Sequence, residues 1–507
     1  MDDRSFRISR RSLLRQAVGA AALTSGVIDL TRLDSPPIFQ NPLFAGDYAD
    51  PSILRVGSDF YITHTSYHYS PGLVIWHSQD LVNWSHLSNG LNRTFGEVWA
   101  PDLIEHQGQY VVYFPLDGQL YAIHSRHPRG PWSEPVDLKT RGIDPGHVVG
   151  PEGKRYLHFA GGKMVALSPD GLSVVGEEVQ VYDGWTYPSD WQTAGFWLES
   201  PKLIRRGQYY YLICAEGGTD GPPTSHMAVA ARSASPTGPW ENSPYNPLIH
   251  TYSADETWWS VGHGTLVSTP ANDWYIVYHG YRREFQTLGR HTLMEPIEWT
   301  TDGWPRAPLG PNRDQVFRAP LGISERPMID LSDSFLASEL NPTWGAWDET
   351  SMSRFKTGLG SLSISAKGPA PAHSSPLTIM ARHPRYQVQV VAEPTGGCGG
   401  ALGLFYNVDN WLFAELKNAQ LKVYGPKEVL ATCSWRKPVV HLRIVNRNNR
   451  VAFLASEAGS DWHTLVQDID VSGYVHNRLK GFQCLRLALA SSVQGETRFA
   501  DFAYKAL

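Results

Sequence analysis

ADPSILRVGSDFYITHTS (49–66) reads as two short strands joined by a turn at Gly57–Ser58, and its pattern returns four times before Pro305. The later copies are APDLIEHQG with QYVVYFP (100–115), DPGHVVGPEG with KRYLHFAGG (144–162), ESPKLIRRG with QYYYLICAEGG (199–218), and GHGTLVSTP with DWYIVYHG (262–270 and 273–280). Each first strand opens near a Pro, an acid or a His, and an aromatic strand follows. A third strand and a turn near Trp usually close the unit, as in IWHSQDLVNW (75–84) and LMEPIEWTTDGW (293–304). A repeat of roughly 45–65 residues made of strands is the pattern of a β-propeller, and five copies predict five blades. The first strand of each unit would line the central channel. Asp50, Asp144, Glu199 and His263, far apart in sequence, are therefore expected around one opening, with Asp102 slightly further in on the second copy.

Composition agrees with an all-β chain. Of 507 residues, 18% are charged and 12% aromatic, with 18 Trp and 23 Tyr. Low charge with many aromatics argues against disorder. Most of these rings are expected to fill blades, although pyranose rings also stack on aromatic faces. A net charge of −5 gives no electrostatic footprint for nucleic acid. Four cysteines make neither a disulfide scaffold nor a zinc motif. Cys214 lies in an apolar strand and reads as a buried thiol, whereas a Cys433–Cys484 bridge is left open.

Paired Arg10–Arg11 precede a short Ala- and Gly-rich apolar stretch in SRRSLLRQAVGAAALTSGVI (9–28), which resembles a twin-arginine export signal. The run is too short to span a bilayer, so an exported protein without a membrane span is expected. Four segments follow from these readings: a signal segment at 1–36, the propeller at 37–318, a linker at 319–328 and a second domain at 329–507. PRAPLGPNRDQVFRAPLG (305–322) carries the Pro and Gly of a wrapping or linking stretch. Beyond it, SLSISAKG (361–368), YQVQVVAEP (386–394) and CLRLALAS (484–491) show the alternation and turn spacing of a β-sandwich, jelly-roll or concanavalin-like. No strong helix is expected after the signal segment.

Carboxylates are not left in a channel unless paired or functional. One Asp-Pro can simply start a strand, but three acids at equivalent blade positions are harder to explain structurally. Held close, they split one another's pKa values, which is how one site keeps an acid and a base at the same pH. Two carboxyl groups flanking a glycosidic bond suffice for hydrolysis.

NPLFAGDYADPSILRVGSDFYITHTS (41–66), GIDPG (142–146), LESPKLIRRGQYYYL (198–212), SVGHGTL (260–266) and GRHTLMEPIEWTTDGWP (289–305) resemble, in order and spacing, the catalytic domain of glycoside hydrolase family 43. The resemblance covers about 270 residues and implies a five-bladed propeller with an inverting mechanism. It implies Asp50 as general base, Glu199 as general acid, and Asp144 as the carboxylate that orients the acid and raises its pKa. The family usually has Gly where this chain has Ser200, a minor departure at a tight turn. Arg290 matches a position that contacts substrate hydroxyls near the acid. Trp99 matches an aromatic lining the sugar pocket, with blade packing as its alternative role. His263 is placed deep in the channel, near a calcium ion or a water cluster beneath the sugar. Calcium prefers oxygen ligands, so His263 would reach it through water, and no cofactor is required for the chemistry.

SSPLTIMARHPRYQVQVVAE (374–393) and GGALGLFYNVDNWLFAEL (399–416) are similar, more loosely, to the sandwich appended to β-xylosidases of this family. There it helps to close the pocket; a carbohydrate-binding module is the alternative. Together these resemblances imply release of terminal β-D-xylose from xylo-oligosaccharides or hemicellulose, with α-L-arabinofuranosidase action as the close alternative. A non-catalytic carbohydrate-binding propeller is disfavoured because all three acids are present. A retaining fructosidase is disfavoured because Ala49–Asp50–Pro51–Ser52 lacks the Asn-Asp-Pro-Asn pattern.

Overall fold

The computed structural model describes residues 37–322 and 330–507, so the expected signal segment (1–36) and most of the expected linker lie outside the described residues. Five antiparallel sheets follow one another in the chain, each with its first strand innermost. The inner strands are Ser52–Val56, Asp102–His106, Gly146–Val149, Glu199–Arg206 and Trp258–Ser268, in blades 1 to 5. Ile38–Phe39 pairs with Phe317–Arg318, and the Leu43 amide donates to the Thr292 carbonyl at 2.8 Å, so the two ends of the propeller meet on blade 5.

The second strand of each blade is an apolar run because it lies between neighbouring blades. YYYLICAE (209–216) is buried at every position but its first. Phe60, Ile62 and Trp76 pack on Val267, Tyr275 and Met294 across blades 1 and 5. Tyr61 and Ile75 pack on Leu103 and Val112 across blades 1 and 2. Each such side chain stabilises by about 1.5–3 kcal/mol on burial.

Every blade also has a fourth, outermost strand that the repeat pattern missed. Val174–Gln180 is mostly exposed and Glu241–Asn242 is only two residues long, so neither carries an apolar alternation.

Two further sheets, of eight and seven strands, enclose the core of the C-terminal sandwich, with Tyr386, Val388, Leu402, Leu404, Phe453 and Leu487 among its buried residues. The expected hairpin 400–417 forms as Gly399–Asn407 against Asn410–Lys417. The eight-stranded sheet does not end within the domain. Its edge strand Trp344–Trp347 pairs with Tyr69–Ser70, a segment of blade 1. Tyr67, Tyr69, Trp347, Phe405 and Phe413 then form one buried cluster across the boundary, with Trp99 and Phe482 against it. All four cysteines are free thiols, so the Cys433–Cys484 pairing left open above is not made. The α-helix His476–Leu479 is a single turn, and no described helix is long and apolar enough to cross a membrane.

Candidate active site

Asp50, Asp144 and His263 each precede or interrupt an inner strand with φ near +55° (55°, 55° and 54°). The left-handed region costs a non-glycine residue about 1–2 kcal/mol, and such strain collects at functional sites. The repeat therefore sets the same unusual backbone in three blades. Their side chains converge. His263 Nδ1 lies 3.3 Å from Asp50 Oδ1, and its Nε2 lies 3.4 Å from Asp144 Oδ2 and 3.8 Å from Glu199 Oε2.

Asp50 is the most constrained of the acids. Its Oδ1 accepts from Arg290 at 2.8 Å and its Oδ2 from the Thr65 hydroxyl at 2.6 Å. His279 Nδ1 stands 3.0 Å from Oδ1 and also 3.1 Å from the Asp50 amide. Burial alone would raise this carboxyl, yet Arg290, His263 and His279 hold it well below the usual carboxylate range. Asp50 is thus an ionised acceptor at neutral pH.

Asp144 behaves oppositely. Burial, reinforced by the charges of Glu199 and Asp50, pushes it up to about 7. The Ser200 amide donates to its Oδ2 at 3.2 Å, tying it to the turn that carries Glu199. Burial lowers the His263 pKa, but Asp50, Asp144 and Glu199 outweigh it and raise the group, favouring the imidazolium. The floor of the site therefore holds an ionised carboxylate on one side and mobile protons on the other. Glu199 is half-buried between these groups and the opening.

A cavity of about 320 Å³ opens above this floor. All six residues expected at the site line it: Asp50, Asp144, Glu199, His263, Trp99 and Arg290. Arg290 stands against Asp50, with its second nitrogen 2.7 Å from the Tyr67 hydroxyl and its backbone amide donating to Asp47 at 3.0 Å. Trp99 lines the cavity and packs on the boundary cluster shared with the sandwich, not in an interface between blades. Asp102 is drawn into the channel wall. It accepts from Lys202 at 3.0 Å and from the His147 amide at 2.7 Å, and Lys202 also donates to the Pro101 and Pro145 carbonyls.

Sequence reasoning missed two sets of residues at the site. Buried His226 and His279 lie beside His263, with ring centroids 5.5 and 5.1 Å from it. Both are kept neutral, chiefly by burial. The other set comes from the sandwich: His476, Lys480 and Phe482 form part of the cavity wall. The Phe482 ring stacks on His476 at 3.5 Å, and the Arg290 guanidinium lies 5.2 Å from its centroid. Asn477 donates to the Gly221 carbonyl of blade 4 at 2.8 Å, fastening this turn over the funnel.

The profile of glycosyl hydrolases family 43 matches residues 39–305, more than half of the chain. Over 293 residues the chain is 34% identical to a protein of Bacteroides ovatus named non-reducing end α-L-arabinofuranosidase, covering 53% of this chain and 53% of that protein. It is 30% identical to a β-xylosidase of Bacillus subtilis, covering 52% of this chain and 56% of that protein. The chain thus spans about half the length of these relatives. Among solved structures, a family 43 protein of Bacillus licheniformis superimposes with a TM-score of 0.83 at 27% identity, over 93% of this chain and 100% of that one. A xylan β-1,4-xylosidase of Bacillus halodurans gives 0.80 at 25% identity, over 92% and 100%.

Proposed function

The chain belongs to glycosyl hydrolases family 43, and from that premise we propose that it is an inverting glycosidase releasing terminal β-D-xylosyl residues from xylo-oligosaccharides or hemicellulose. The observation that carries the reading is the convergence of Asp50, Asp144 and Glu199 on one imidazole beneath a sugar-sized cavity.

In the proposed reaction Glu199 gives its proton to the glycosidic oxygen as the bond from the anomeric carbon to that oxygen breaks. A water oxygen forms the new bond from the opposite face, and its proton passes to Asp50. Arg290 holds Asp50 ionised and oriented for that transfer. Asp144, through the Ser200 amide, positions the turn bearing Glu199. The wall formed by Phe482 and His476 closes one side of the cavity, which suits removal of a chain end. The floor offers three imidazoles and two carboxylates, Asp50 and Glu199, and no oxygen cage, so a calcium ion here would be held mainly through water. No step of the proposal passes through a metal. Export through the paired-arginine segment is also part of the reading and rests on sequence.

An α-L-arabinofuranosidase is the second reading, favoured by the name of the 34%-identical relative. Hydrolysis of aryl β-D-xyloside and aryl α-L-arabinofuranoside by the same purified protein separates the two. Faster turnover of the xyloside supports the first reading, faster turnover of the arabinofuranoside supports the second, and turnover of neither removes both.

A further inference from the structure

Beside Glu199 the cavity wall continues outward as a row of aromatic rings that the reaction described above does not use. The row lies mainly on the loop between the outer strand of blade 3 (Val174–Gln180) and the inner strand of blade 4 (Glu199–Arg206). Trp197, two residues before the acid, lines the cavity and is 57% exposed. Its φ of 38° is a strained backbone for so bulky a residue. The indole lies so close over Gly218 that a Cβ there would meet its Cδ1 at 2.8 Å. Phe196, 44% exposed, sits over Gly184 in the same way, 2.5 Å from the position a Cβ would take. Close packing on glycines holds rings in place that burial alone would not hold.

The row then runs on from Phe196. Ring centroids of Phe196 and Tyr187 are 6.0 Å apart, Tyr187 and Trp191 6.5 Å, and Trp191 and Tyr252 6.3 Å. Tyr187 and Trp191 are half-buried, and Trp191 is locked face to face on His250 at 4.3 Å. Tyr252, at the far end, is 54% exposed. Exposed aromatic rings that are rigidly backed and continuous with the cavity suit the apolar faces of sugar rings.

Direction follows from the chemistry. The proposed acid protonates the leaving oxygen, so the departing part of the substrate lies on the Glu199 side. Asp50, Arg290 and Tyr67 form the opposite wall. We infer that the Trp197–Phe196–Tyr252 row is a binding platform for the leaving-group sugars of an oligosaccharide, beyond the residue that is cleaved. This inference rests on the glycosidase reading and adds that the enzyme favours chains over disaccharides.

The test measures kcat/KM against chain length for wild type, Phe196→Ala, Tyr252→Ala and the conservative Phe196→Trp. The substrates are β-1,4-xylo-oligosaccharides of two to six units, or their arabinofuranosylated forms if those are the ones cleaved. Wild type is expected to gain with each added leaving-group unit. Each Ala variant should lose about three- to tenfold on the longest chain, as expected for one lost ring stack. Hydrolysis of the aryl glycoside, which carries no leaving-group sugar, should be unaffected, which also shows that the variants are folded, and Phe196→Trp should keep the gain. A flat wild-type profile, or Ala variants that follow the wild-type slope, overturns the platform while leaving the glycosidase reading intact. Failure to cleave either aryl glycoside overturns both.

Discussion

Replacing Arg290 by Met removes the guanidinium 2.8 Å from the proposed base while keeping much of the side-chain volume. Two unit charges about 4 Å apart interact by about 4 kcal/mol at an effective dielectric of 20. That is about a thousandfold in the ratio of ionised to neutral carboxyl, an upper figure because Thr65, His263 and His279 still contact Asp50. The sign is fixed by burial, which raises Asp50 when nothing opposes it. In wild type the base stays ionised well into acid, and the rate falls only as pH drops through its depressed pKa. In Arg290→Met the acid limb of kcat/KM moves up, and activity at mildly acidic pH falls further than at alkaline pH. The assay is a pH profile of aryl glycoside hydrolysis over roughly pH 4 to 9, where base and acid limbs separate. Breaking a buried pair costs about 3–5 kcal/mol, so melting curves are taken alongside. Arg290→Lys keeps the charge but cannot hold Asp50 and Tyr67 together, and it should recover part of the acid limb. A uniform loss of rate with an unmoved acid limb would refute the reasoning and make Arg290 a substrate ligand instead.

Three other expectations follow from the same geometry. Asp144 titrates near 7 in the folded protein against 3.8 as a free side chain. Its contribution to stability is therefore complete below about pH 4 and is lost as pH rises towards 7. The melting temperature of Asp144→Asn, measured against wild type, should accordingly improve across that window and level off above it; a constant difference would contradict the shift. Phe482→Ala removes a ring from the cavity wall and from beneath Arg290, and should raise KM for an aryl xyloside by up to about tenfold with a smaller change in kcat. An unchanged KM would show that the sandwich wall does not touch substrate. Ser200 has φ of 51° and a buried hydroxyl without a partner among the described residues. Ser200→Gly should stabilise the fold by about 1 kcal/mol in denaturant unfolding, and destabilisation would mean that the side chain is needed.

The parts of the site that were legible in sequence are those the repeat carries. Asp50, Asp144, Glu199 and His263 sit at equivalent places in their copies, so their departures from one another stood out against a common frame. Arg290 was found, but its partner was not, because Asp50 lies 240 residues away and only ring closure at blade 5 brings them together. His279 sits within a blade strand, and His226 immediately precedes one (Met227–Ser233), where the pattern reads as ordinary core. His476 and Phe482 had no local signal, since their place depends on how the sandwich docks through Tyr69–Ser70. The outermost strands escaped because solvent, and not a neighbouring blade, faces them. Trp197 and Phe196 were counted among blade-filling aromatics, and only their exposure sets them apart.

The central claim is that Asp50 and Glu199 work on opposite faces of one glycosidic bond, with a water between. Proton NMR of the sugar released in the first moments of hydrolysis, before mutarotation, tests it directly. The account predicts the anomer opposite to that of the substrate, α-xylose from a β-xyloside. The first appearance of the same anomer as the substrate would contradict it, because a retained configuration requires a covalent intermediate on a closer pair of carboxylates.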